Sequence, residues 1–323
     1  MKILISRTDK IGDVVCTLPL AGALKAWQPA CRVGFLCSAH VQPLVAVCAN
    51  VDEIIVREEL EAAGLDRAAE RLKKAGFDAV VHVFPVPWIA RLCSRARIPL
   101  RIGTLRRWYH WLTCNRRVMV KRSGSRLHEA QLNLLLLAPI IGPAGFPLKS
   151  IPLLYGLTRV PELHPTLAKC IDPARFNLVL HPGSRGSAPV WPMEHFVDLA
   201  ARLPSERFNV VLSGNGHERE QIRTAFGVAA CRLLPETDLS GLISFIAASD
   251  GFVASSTGPA HIAAALGRRV LGIHTDRPPT HPGRWAPVGS RASTVSAPDP
   301  ADISVEQVLA VIIAWDKKGP QRL

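Results

Sequence analysis

A chain of 323 residues, 48% hydrophobic and 20% charged, carries enough apolar side chain for two α/β domains with a core each, which excludes a disordered or fibrous protein. Its richest apolar segment, residues 132–148, is broken by Pro139, Gly142, Pro143, Gly145 and Pro147 and falls short of a membrane span. The formal charge of +13 sits mostly in residues 1–150, with 22 Lys and Arg against 11 Asp and Glu, and such a field attracts phosphate-rich or carboxylate-rich partners.

No carboxylate occurs between Asp78 and Glu129, an interval holding eleven basic residues from Arg91 to Arg126. Ten of them are arginines, which suit bidentate recognition of carboxylate and phosphate better than lysines do. At the N-terminus Arg7, Asp9 and Lys10 cut the apolar stretch short, so no export signal is read and a cytoplasmic protein is expected. The eight cysteines are scattered, with no Cys-x-x-Cys pair, and are expected to be reduced core residues.

In chain order, Lys2–Ser6 reads as a buried strand, followed by a loop and a helix from about Asp13 to Trp27. Val33–Cys37, Glu53–Val56 and Ala79–Phe84 follow as strands, with Leu60–Ala75 a charged amphipathic helix. This βαβ rhythm implies a parallel sheet covered on both faces. The basic stretch 91–126 predicts loops and short helices above the sheet, and Leu127–Leu137 a further helix. Gly142 to Pro165 reads as a linker. The alternation then restarts, with strands over Asn177–His181, Phe208–Ser213, Gly251–Ala254 and Arg269–Ile273. Helices are expected over Met193–Leu203, Glu218–Phe226, Leu239–Ala248 and Pro259–Leu266, and a last one opens at Ser304 in a capping box with Gln307. Two such domains expose strand ends where α/β folds bind ligands.

The turn after the first strand, residues 7–13, contains only Gly12. It lacks both the Gly-x-Gly-x-x-Gly of a dinucleotide fold and a phosphate loop ending in Gly-Lys-Ser/Thr, so redox and ordinary NTPase functions lose support. Asp13 reads first as a helix N-cap. It reads alternatively as a base of modest strength that takes a proton late from an attacking hydroxyl. Ser255-Ser256-Thr257-Gly258-Pro259-Ala260-His261 follows a strand and opens a helix, with small residues that let a diphosphate approach free N–H groups. The bland alternative is a capped helix with a core histidine. His181-Pro182-Gly183-Ser184-Arg185 forms a second such turn, and the loop at Gly214–Glu218 adds an acidic residue suited to ribose hydroxyls. Together these three strand ends suggest a nucleoside diphosphate. No Asp-x-Asp pair and no metal-spaced His/Cys cluster is found, so a metal-free site without a cofactor is expected.

These residues resemble glycosyltransferase family 9, the heptosyltransferases of the lipopolysaccharide core. The resemblance rests on Lys10 to Pro19, His181 to Ser184, Trp191-Pro192 with Phe196, Ser213-Gly214 with Glu218, Asp238 to Leu242, and Ser255 to Gly267. It implies an α/β GT-B fold of two facing Rossmann-like domains. Their expected limits are 1–155 for the acceptor domain and 156–323 for the donor domain, with the last helix, about 304–316, packing back on the first. It also implies inverting, metal-independent transfer of heptose from ADP-heptose, with Asp13 as general base. Donor contacts fall on Gly12, Ser184, Arg185, Ser256, Thr257, Gly258 and His261, and more loosely on Glu218 and Thr237. The acceptor, an anionic lipid-linked glycan, is expected to meet Arg106, Arg107, Arg116 and Arg117.

The chain departs from the family where Ala188-Pro189-Val190 stands in place of a lysine shortly before Trp-Pro. Either Arg185 supplies that charge or the donor is another nucleotide sugar. A different donor or glycan acceptor on the same fold is therefore the alternative reading. A basic nucleic-acid-binding protein is a remote one, since only Trp108, Tyr109 and Trp111 lie in the basic stretch. Those aromatics either flank the acceptor or face a membrane surface, which leaves a peripheral contact with the inner membrane open.

Overall fold

The computed structural model describes residues 1–184, 186, 188–227 and 231–315. It divides into two compact units, Met1–Arg159 and Val160–Leu323. The first carries strands β1 Lys2–Ser6, β2 Arg32–Cys37, β3 Glu53–Val56, β4 Ala79–His82, β5 Leu100–Thr104 and β6 Arg116–Val118. The second carries β7 Phe176–His181, β8 Phe208–Leu212, β9 Arg232–Leu233, β10 Gly251–Ser255, β11 Arg269–Thr275 and β12 Ala292–Ala297. Among the described residues every pairing between these strands is parallel.

The strand orders are β3-β2-β1-β4-β5-β6 and β12-β11-β10-β7-β8-β9. Counted within each unit, both follow the doubly wound order 3-2-1-4-5-6. The order reverses between β1 and β4 in the first unit and between β7 and β10 in the second. In folds of this order the loops leaving such neighbours run to opposite faces of the sheet, and ligands bind beyond its carboxyl edge.

Burial of both sheet faces explains the nearly unbroken apolar strands. On one face of the first sheet Leu4, Leu36 and Val80 pack with Leu60, Leu72, Phe77, Ile89 and Leu92. Alternation sends Ile3 and Ile5 to the other face, where they are equally inaccessible to solvent. In the second unit Trp191 is inserted beside Phe196, with ring centroids 4.8 Å apart, and its indole N–H donates to the Ile303 carbonyl at 2.8 Å. Its backbone N–H donates to Ser255 Oγ at 2.9 Å, which ties the loop after β7 to the end of β10.

The structure corrects several sequence expectations. Stretch 91–126 contributes β5 and β6, which extend the first sheet instead of lying above it. Gly64, at φ +80°, splits the charged helix into Arg57–Ala63 and Leu65–Ala75. The helix expected from Asp13 is two, Ile11–Val15 and Pro19–Trp27.

The boundary falls after Arg159, beyond the expected 155, because residues 155–159 are held by the first unit. Cys48 and Leu157 form an antiparallel bridge, and the Arg159 guanidinium donates to the Ala49 and Val51 carbonyls. The helix Val305–Ile313 keeps the expected Ser304–Gln307 capping box. Val305, Val308 and Ile312 belong to the core that contains Trp191 and Phe196, so the helix covers its own unit. All eight cysteines are free thiols, seven of them buried.

Candidate active site

Asp13 lies in the first turn of Ile11–Val15, just beyond β1 at the switch point. Lys10, not Asp13, occupies the N-cap, so the capping alternative for Asp13 falls away. Its carboxylate pairs with the Arg7 guanidinium. Arg7 is 4% exposed; its Nε also meets Asp9 at 2.6 Å, its Nη1 lies 3.9 Å from Glu129, and its guanidinium lies 5.5 Å from the Phe84 ring. Glu129, nearly fully buried, pairs in turn with Arg122, which donates to Asn133 Oδ1 at 3.0 Å. Asn133 donates to the Cys16 carbonyl at 3.1 Å, directly after the Asp13 helix. Three carboxylates and two guanidiniums thus form one network around Asp13.

That environment sets the acid's strength. Burial pushes the Asp13 carboxyl up, and the neighbouring Asp9 and Glu129 charges reinforce this against the pull of Arg7, raising it to about 6. The helix start therefore does not keep Asp13 a weak base, as its position alone suggested. A carboxylate poised near neutrality is matched to accepting a proton at cellular pH. His82, paired in register with Ser6 across the switch point, is a poorer candidate. Burial, followed by the charges of His110 and Arg101, drives it down to about 3.

In the second unit the ends of β10, β7 and β8 are adjacent. Register sets Ala254 beside His181 and Leu180 beside Leu212. The turns after them therefore leave one edge together. Thr257 is the N-cap of Gly258–Ala265, its side chain makes no capping bond, and Pro259 fits the first turn without a missing N–H partner. Thr257, His261 and Ser184 are all buried, while Ser256 and Gly258 are half-buried. Ser184 Oγ donates to the Ala188 carbonyl at 3.1 Å, and His181 Nδ1 lies 2.8 Å from Ser213 Oγ.

Gly183 and Glu218 are in such close contact that a Cβ on Gly183 would run into the carboxylate. Glu218 Oε2 accepts from the Asn215 N–H at 3.2 Å, closing a capping box at the start of Gly216–Phe226. Glu218 thus has a structural task, and it also sits against the turn after β7. Thr237 is exposed, immediately before the Asp238 cap of Leu239–Ala248. Gly12, in the Asp13 helix, belongs to the first switch point. Arg185 lies outside the described residues.

The proposed acceptor arginines separate by position. Arg106 and Arg107 are exposed just past the carboxyl end of β5, on the ligand edge. Arg116 and Arg117 begin β6 instead, and their guanidiniums donate to the Asn115 and Cys114 carbonyls. The basic residue that does reach the Asp13 network is Arg122. Sequence reading missed it, along with Arg7 and Glu129. The one available hint was that Glu129 ends the long acid-free interval.

The family model for glycosyltransferase family 9 (heptosyltransferase) matches residues 65–309. The chain belongs to glycosyltransferase family 9. As a family 9 member it is a glycosyltransferase. A "putative glycosyltransferase" of Haemophilus influenzae is 26% identical, covering 96% of this chain and 95% of its own. Lipopolysaccharide heptosyltransferase 2 of Salmonella typhimurium is 28% identical over 91% of this chain and 88% of its own. Among solved structures, E. coli ADP-heptose lps heptosyltransferase II superposes with TM-score 0.75 at 22% identity, covering 97% of this chain and 98% of that one. A family 9 glycosyl transferase from Veillonella parvula gives 0.77 at 16% identity, with 96% and 95% covered. These structures establish the GT-B fold class for the two doubly wound units.

Proposed function

We propose that this family 9 enzyme transfers heptose from ADP-heptose to an anionic inner-core acceptor of lipopolysaccharide, with inversion and without a metal. The observation that carries this reading is the half-buried Asp13 at the β1/β4 switch point, its carboxyl raised to about 6. The names of the relatives support heptose as the sugar and the lipopolysaccharide core as its destination.

In the proposed step the acceptor hydroxyl oxygen attacks the anomeric carbon from the face opposite ADP. The bond from that carbon to the diphosphate oxygen breaks, its electron pair leaves with ADP, and Asp13 takes the hydroxyl proton. Gly12 is assigned to the donor sugar as the small neighbour of Asp13 in the same turn. The diphosphate is assigned to the N–H groups opening Gly258–Ala265, with Ser256, Thr257, His261 and Ser184 around them and Arg185 as a further cation. Glu218 and Thr237 are assigned to the nucleoside. No divalent ion is needed if these dipoles and cations carry the developing charge. Arg106 and Arg107, on the ligand edge, are the stronger acceptor contacts, and Arg116 and Arg117 the weaker.

Thr257→Val removes a hydroxyl from a charge-assisted hydrogen bond worth about 1.5 kcal/mol or more, so the dissociation constant for ADP should rise roughly tenfold. Isothermal titration checks this, and unchanged affinity removes Thr257 from the donor site. The reading as a whole is tested by offering purified enzyme ADP-heptose and a set of UDP- and GDP-sugars with a Kdo-bearing lipid A acceptor. ADP release matched by one added heptose is expected, whereas turnover confined to a UDP- or GDP-sugar rejects ADP-heptose.

A further inference from the structure

We propose that residues 105–121 of the first unit form a docking surface for an anionic phospholipid bilayer. Four large apolar side chains here are strongly exposed: Trp108 at 76%, Leu112 at 78%, Met119 at 61% and Trp111 at 58%. Scattered exposed apolar residues need no explanation, but three of these four fall within residues 108–112. Trp111 N donates to the Trp108 carbonyl at 3.0 Å and Leu112 N to that of Tyr109 at 3.2 Å, so one helical turn holds the segment. Spacing of three and four residues then places Trp108, Trp111 and Leu112 together. The opposite side carries His110, inaccessible to solvent and accepting from the Thr104 N–H at 3.0 Å.

The neighbouring edge strand continues the surface. The Arg117 guanidinium lies 4.5 Å from the Trp111 ring, and the exposed Met119 directly follows the strand that carries Arg117. Met119 also lines an apolar hollow of about 310 Å³ with Val118, Leu134, Leu135, Ile141 and Phe146. Arg106, Arg107, Arg116 and Lys121 are exposed beside these residues, in a stretch of sequence without a carboxylate.

Charge chooses the occupant. An anionic bilayer matches the apolar and the basic character at once, with headgroups for the cations, interfacial depth for tryptophan and acyl chains for leucine and methionine, whereas a protein partner would need acidic and apolar side chains set out in the same layout. Single-stranded RNA would use the arginines and indoles for phosphates and stacking. It would leave Leu112, Met119 and the hollow without a role. Docking deepens the proposed reaction, since a lipid-linked acceptor would lie in that bilayer, and it rests on that reading only for its purpose.

The test is sedimentation of the full chain with vesicles of phosphatidylglycerol and phosphatidylethanolamine, compared with phosphatidylcholine alone. Binding to the anionic vesicles is expected, falling with salt and absent from phosphatidylcholine. Trp108→Ser/Leu112→Ser should lower the partition coefficient at least tenfold while its thermal midpoint and its turnover on a deacylated acceptor stay those of the parent. Equal vesicle binding by the double variant overturns the proposal, as does equal binding to phosphatidylcholine, or capture of a single-stranded RNA oligonucleotide in preference to vesicles. Failure to transfer heptose would sink the proposed reaction and leave the vesicle result standing.

Discussion

Asp13→Asn should lower kcat by about 10²- to 10⁴-fold, the usual worth of a positioned general base, while the ADP dissociation constant stays close to that of the parent. The substitution keeps the shape of the side chain and removes its ability to accept a proton. It should not unfold the protein. The Asp13 carboxyl is raised, so burial and the Asp9 and Glu129 charges already outweigh the attraction of Arg7 for its anion. A neutral amide relieves that imbalance and leaves Arg7 with Asp9 and Glu129. The affinity should hold because the assigned diphosphate contacts lie in the second unit. Steady-state kinetics beside calorimetric ADP titration separates the two effects, and parent-like turnover would remove Asp13 from the chemistry.

Arg7→Met should destabilise the first unit by about 3–5 kcal/mol, the cost of breaking a buried charge network by removing one partner. Arg7 is buried among Asp9, Asp13 and Glu129, and a thioether takes the guanidinium from all three while Glu129 alone keeps its pair with Arg122. The contact between the guanidinium and the Phe84 ring is lost as well. The same change has a chemical signature. Arg7 is the main force holding the Asp13 carboxyl down against burial, so its loss should move that group further up. Urea denaturation reads the first effect, and an upward shift of the acidic limb of the rate profile reads the second. A variant as stable as the parent would mean that the network does not hold this corner of the fold.

Most of the fold was legible because buried parallel strands leave apolar runs that turns punctuate. β1 and β3 and the helix Leu239–Ala248 have the predicted limits. The missed strands have physical reasons. β6 is three residues long, begins with two arginines and closes the sheet edge, so neither length nor alternation marks it. β12 closes the other sheet with half its residues exposed.

At the candidate site, sequence placed Asp13 and the Thr257 turn at strand-to-helix junctions, and the fold has both there because such junctions are local features. It could not locate the Arg7–Glu129–Arg122 network, because nothing local links residues that the fold joins from distant segments. It also misjudged Asp13's strength. The helix-start argument considers one favourable dipole, whereas burial beside two further carboxylates dominates. Glu218 shows the reverse case, a residue chosen for the nucleoside that the fold also uses as a helix cap.

The measurement closest to the core of this account is the pH dependence of kcat/KM for the parent enzyme with ADP-heptose. Below about 6 the Asp13 carboxyl holds its proton and cannot take another, so the rate should fall roughly tenfold per pH unit there and level off above. A profile flat from about pH 5 to 8, or the same limb surviving in Asp13→Asn, would contradict it.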